Sequence, residues 1–111
     1  MRGEKPNAEQ EELIAQTAME IEAYVQDQKA YLNPHLKIDD VVDHCHLGRS
    51  YVSLTFRRCF TSFANYVNRL RLAHFDQYMA DHPEETKEAA AIASGYASYN
   101  SYYRAKQKME R

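Results

Sequence analysis

The chain has 111 residues, 44% of them apolar, and a formal net charge of −2. That suits one domain, or two very small ones sharing a helix, around a thin core. No run approaches the ~20 apolar residues that span a bilayer, and Met1 to Pro6 lacks the apolar stretch of a secretion signal.

Charge is distributed in blocks. Residues 1–43 hold ten acids and four bases, whereas residues 44–75 hold no acid and five arginines. Residues 76–86 carry four acids and no base, and residues 87–111 carry five bases against two acids. Two basic segments therefore alternate with two acidic ones, and a local basic patch steers and holds phosphate whatever the net charge. Two cysteines, Cys45 and Cys59, are too few for a disulfide scaffold. Both lie in amphipathic segments and are expected as reduced, packed thiols in a cytoplasmic protein.

With three glycines and three prolines and no β-branched alternation, the chain reads as all-helical. Ile14, Ala18, Ile21 and Val25 recur at helical spacing and predict a helix from about Ala8 to Tyr31, ended by Asn33-Pro34. A short helix is expected from Asp39 to His46, with Asp39 and Asp40 suited to its positive end. Leu47-Gly48 makes a turn, and a helix from Arg49 to Phe60 follows, burying Val52, Thr55, Phe56 and either Cys59 or Phe60. A longer helix runs from Phe63 to Ala80, with Phe63, Tyr66, Val67, Leu70 and Met79 inward, and His82-Pro83 stops it. Glu84 to Ser94 is a short alanine-rich helix, Gly95 a turn, and Ser98 the cap of a last helix through Tyr102. A short helix, a glycine turn and a second helix thus occur twice, the plan of a repeated helix-turn-helix.

Read in order, the segment from Ile38 to Arg57 (IDDVVDHCHLGRSYVSLTFR) resembles the first helix-turn-helix of AraC/XylS-family transcription regulators. Tyr66 to Leu72 resembles that family's linking helix, and Gly95-Tyr96-Ala97-Ser98-Tyr99-Asn100-Ser101-Tyr102-Tyr103-Arg104 resembles the G-F-x-S-x-S-x-F-x-R signature of the second unit. The likeness covers about Met19 to Lys106. It implies an all-α fold of two homeodomain-like helix-turn-helix units joined by a linking helix. The corresponding divisions are an N-terminal extension (1–18), a first unit (19–62), the linking helix (63–80) and a second unit (81–111). The chain departs from the pattern in four places. The usual glycine after the first recognition helix is missing at Phe60-Thr61-Ser62. Gly48 stands at a serine position, Lys106 stands where an aromatic residue packs, and the final G-x-T-P-x-x-Y-R segment is lacking.

What the resemblance implies for function is sequence-specific binding of double-stranded DNA in transcription regulation, without a cofactor. RNA polymerase, and a sensor or dimerisation domain outside this chain, are the further partners it implies. Ser50, Ser53 and Leu54 match base-facing positions, while Arg49, Arg57 and Arg58 would lie near phosphate or the groove rim. In the second unit Tyr99, Asn100, Tyr103 and Arg104 face outward. Asn100 suits adenine and Arg104 suits guanine or phosphate.

Other chemistries fit less well. His44, Cys45 and His46 are consecutive, so on a helix their side chains diverge by about 100° and cannot close on one ion. No base and carboxylate are placed to activate Cys59, and there is no glycine-rich phosphate loop. The arginines read equally as an ordinary solvated face. The rival to DNA binding is a helix-turn-helix module for protein–protein contact.

Overall fold

The computed structural model describes residues 8–111; residues 1–7, with the segment read for a secretion signal and the start of the extension, lie outside the described residues. Every regular element among the described residues is helical, and no helix is long and apolar enough to cross a membrane.

Helix α1 (Ala8–Ile21) buries Ile14, Thr17 and Ile21, three or four residues apart, so one face is dry. The fully buried Thr17 hydroxyl is satisfied by donating to the Leu13 carbonyl at 2.7 Å. The chain continues as a π-helical stretch (Glu22–Asp27), where the Gln28 N–H reaches back to the Ala23 carbonyl at 2.9 Å. Lys29 then adopts the left-handed region at φ 63° and ends the helix. The helix expected to run to Tyr31 is therefore shorter. Ala30–Leu32 forms a separate 3-10 turn instead, which tucks Tyr31 into the core and offers its carbonyl to Arg71.

Helix α2 (Ile38–Asp43) starts where the Lys37 N–H donates to the Asp40 carboxylate at 2.9 Å. It stops short of the expected His46. The His44 and Cys45 N–H groups bond to Val41 and Val42, three residues back, which tightens the last turn. The His44 ring stacks on Tyr24 at 3.6 Å, and His46 is drawn to Glu20 of α1. After Gly48 comes α3 (Arg49–Thr55), extended by a π-helical stretch (Phe56–Phe60). Val52, Thr55 and Phe56 are buried, and Phe60 packs on the core. Cys59 is exposed, so the expectation of two packed thiols holds only for the half-buried Cys45, whose thiol burial pushes up to about 11.

Thr61 joins α3 to α4 at φ 75° and ψ −63°, and the Ser62 N–H bonds to the Phe60 carbonyl at 2.9 Å. This is a γ-turn of the rare positive-φ form, carried by a β-branched residue. Ser62 then caps α4 (Phe63–Asp81), its hydroxyl accepting from the Asn65 N–H at 3.0 Å. Thr86 caps α5 (Lys87–Ala93) and Ser98 caps α6 (Tyr99–Met109) in the same way. Because Thr86 is extended and caps, α5 begins three residues after the expected Glu84.

Two apolar clusters result, with α4 running through both. The first gathers Ile21, Val25, Val41, Val52, Phe56, Tyr66 and Val67. The second gathers Phe75, Ala90, Ala91, Tyr96 and Tyr102, with Met79 packed against it. Phe63 and Leu70 sit at the edge of the first cluster, half-buried. The radius of gyration is 16.1 Å, above the roughly 13 Å of a compact chain this long, as two lobes along one helix require.

The lobes meet at one polar junction. Arg71 on α4 donates to the Tyr31 carbonyl at 2.7 Å and to the Asn33 carbonyl at 2.8 Å, and its guanidinium lies 5.7 Å from the Tyr96 ring centre. Gly95 is at φ 97°, where a Cβ would fall 2.5 Å from the Tyr31 carbonyl oxygen. His74 hydrogen-bonds the fully buried Ser94 hydroxyl at 2.9 Å.

Candidate nucleic-acid interface

Helix α3 is held from behind by α1, through Ile14, Thr17 and Ile21, and by α2. That packing uses Val52 and Thr55, so the opposite side is left to polar residues. Arg49, Ser50, Arg57 and Arg58 are exposed, whereas Ser53 and Leu54 are half-buried. The six expected contact residues of this unit therefore divide into four open positions and two recessed ones. Two of the three arginines are already engaged. Arg49 pairs with Asp39 in the first turn of α2, and Arg58 pairs with Glu11 of α1 at 3.1 Å. Arg57 has no partner among the described residues.

The start of α3 is braced from α1 as well. Glu20 accepts from the His46 main-chain N–H at 3.1 Å and also holds the His46 ring. Burial pushes the Glu20 carboxyl upward, but hydrogen bonds from His46 and Gln16 outweigh it and keep the group below its usual 4.5.

Helix α6 presents its residues in two stripes. Asn100, Arg104 and Lys108 are exposed at successive four-residue steps, and none has a partner among the described residues. Tyr99 and Tyr103 belong to the other stripe. They stack on each other at 6.2 Å and line a groove of 460 Å³ with Phe75, Met79, Lys87 and Lys106. The Tyr103 hydroxyl accepts from Gln107 at 3.2 Å. Of the four α6 residues expected to face outward, Asn100, Tyr103 and Arg104 are exposed and Tyr99 is half-buried; neighbouring helix positions diverge by about 100°, which sets the tyrosine stripe a little over a quarter turn from the Asn100–Arg104 stripe.

Lys108 was not among the expected contacts, although its four-residue spacing from Arg104 marks it in the sequence. Arg71, counted in the basic segment, is half-buried and has donors engaged by two carbonyls. The pairings of Arg49 and Arg58 leave no trace in local sequence, since Glu11 and Arg58 are 47 residues apart.

Burial pushes the phenols of Tyr66 and Tyr96 up to about 12. The Tyr66 hydroxyl donates to Gln26 at 3.3 Å, while the buried Tyr96 hydroxyl has no hydrogen-bond partner among the described residues. Among the described residues no group of three or more His, Cys, Asp or Glu side chains is placed to hold a metal ion. No protein-family model matches the chain, and neither a curated protein nor a solved structure matches it.

Proposed function

We propose that the chain is a sequence-specific DNA-binding domain of a transcription regulator, with α3 and α6 as recognition helices in successive major grooves. The observation that carries this reading is the repeated geometry around α4. A short helix, a turn and a second helix stand at each end of a 19-residue helix, each second helix turning a polar face to solvent. At ~1.5 Å per residue α4 is about 28 Å long. Successive major grooves on one face of a duplex lie about 34 Å apart, so the two helices fit them if the DNA bends modestly. An α-helix entering a major groove by its first turns places side chains against base edges. Ser50 and Asn100 stand in the first turns of α3 and α6, and Asn100 suits adenine. Arg57, Arg104 and Lys108 supply the phosphate contacts.

The interaction-module reading is favoured by a separate observation. Acidic α1 lies against α3, and Arg49 and Arg58 are already paired with carboxylates. No catalytic arrangement is part of either reading.

Selection from random duplex DNA with the purified chain separates them. Enrichment of a two-element site with one helical turn between elements, lost on Asn100→Ala and on Ser50→Ala, supports DNA readout by both helices. No enrichment, with weak and sequence-blind binding, supports the protein-contact reading, whereas a DNA reader shows an enriched site whose affinity falls with salt as phosphates are neutralised.

A further inference from the structure

Arg49 and Arg58 flank the outward face of α3, and each is held by an acid from a different helix. Glu11 reaches Arg58 because α1 packs against α3 with Ile14, Thr17 and Ile21 on its buried face, which leaves Glu11 on the exposed side. Asp39 reaches Arg49 from the first turn of α2. The four side chains remain open to solvent, Arg58 and Glu11 at 40% and 52% exposure and Arg49 and Asp39 at 56% and 65%. Phosphate oxygens and carboxylates compete for the same guanidinium donors, in the same forked geometry.

The second unit has no such arrangement. Asn100, Arg104 and Lys108 have no anionic partner among the described residues. The nearby Glu88 accepts from the Tyr99 main-chain N–H at 3.1 Å. Tyr102, and after it the acids Glu110 and Asp76, bear on Lys106 in the other stripe.

We infer that Glu11 and Asp39 are intramolecular competitors for phosphate, which hold Arg58 and Arg49 off the DNA backbone and leave α6 as the anchoring helix. This rests on the DNA-binding reading. Its consequence is a deliberate imbalance between the units: α6 supplies the salt-sensitive grip, and α3 contributes chiefly through Ser50 and Arg57. Contacts to phosphate carry no sequence information, so restraining two arginines on α3 lowers sequence-blind attraction there.

The test is the slope of log affinity against log salt on a random-sequence duplex, for the full chain and its variants. Each phosphate contact contributes about 0.9 to that slope. Arg104→Ala is expected to lower the slope by about one contact, while Arg58→Ala leaves it unchanged. Glu11→Gln is expected to steepen the slope by about one contact and raise low-salt affinity several-fold, and Arg58→Ala in that background to remove the gain. Asp39→Asn is expected to act the same way through Arg49. Glu12→Gln changes the net charge equally at an exposed, unpaired neighbour and so measures the general charge effect. If Arg58→Ala lowers the slope of the otherwise unchanged chain as much as Arg104→Ala does, the inference is overturned. A Glu11→Gln slope no steeper than that of Glu12→Gln overturns it too. If the unaltered chain shows no salt dependence, the DNA-binding reading itself fails and the inference with it.

Discussion

Replacing Thr61 by glycine is expected to stabilise this protein. Thr61 carries φ 75° and ψ −63° in a γ-turn closed by a 2.9 Å bond from Ser62 to Phe60. A positive φ presses Cβ against the backbone, and a branched side chain worsens the crowding. Backbone strain of this kind costs about 1–3 kcal/mol. Thr61 is exposed and makes no side-chain hydrogen bond, so its removal forfeits little. Glycine's greater freedom in the unfolded chain takes back roughly 0.5–1 kcal/mol. The net gain is then about 1 kcal/mol, which for a chain this size raises Tm by roughly 4 °C. Urea titrations at constant m measure it directly. Thr61→Ala keeps Cβ, so it is expected to give less than half the glycine effect. A glycine variant of equal or lower stability would refute the strain argument, and so would an alanine variant that gains as much.

Three further outcomes follow from the junction between the lobes. Gly95→Ala places a Cβ 2.5 Å from the Tyr31 oxygen and 2.9 Å from Arg71 Nε at φ 97°, and thermal melts should show a loss of about 3 kcal/mol or more. Tyr96→Phe removes a buried hydroxyl that has no partner among the described residues, so its stability should be unchanged or higher by about 1 kcal/mol; a clear loss would mean that a hydrogen bond has been deleted. Burial, with Lys29 nearby, holds the His74 imidazole below its usual 6.5, so the unfolded chain binds the proton more readily than the folded one. Its contribution to stability is complete above pH 6.5 and is lost as pH falls through the depressed value. Denaturant titrations from pH 8 to 5 should therefore show a decline that His74→Asn reduces, and identical pH profiles for the two proteins would exclude His74 as its source.

Helical class, the order of elements and the cap at Ser98 were legible because they depend on local rules. Those rules are apolar spacing, short polar side chains before a helix, and proline or glycine after it. The core positions Val52, Phe56, Tyr66 and Val67 were legible for the same reason. The helix ends near Lys29, His44 and Thr86 differ from expectation by three or four residues, since each is set by what the next segment must reach. Lys29 turns so that Tyr31 can pack under α4, and His44 and His46 turn toward Tyr24 and Glu20 of α1.

The sequence by itself determined that this is a chain of helices with its bases gathered in two segments. Periodicity and composition are one-dimensional properties, and they suffice for that. Which of those bases are available to a partner was decided only by the tertiary structure. Arg71 is tied to two carbonyls some 40 residues away and Arg58 is paired with an acid 47 residues away. Charge pairing and burial depend on distance in space, and packing is what brings these distant residues together.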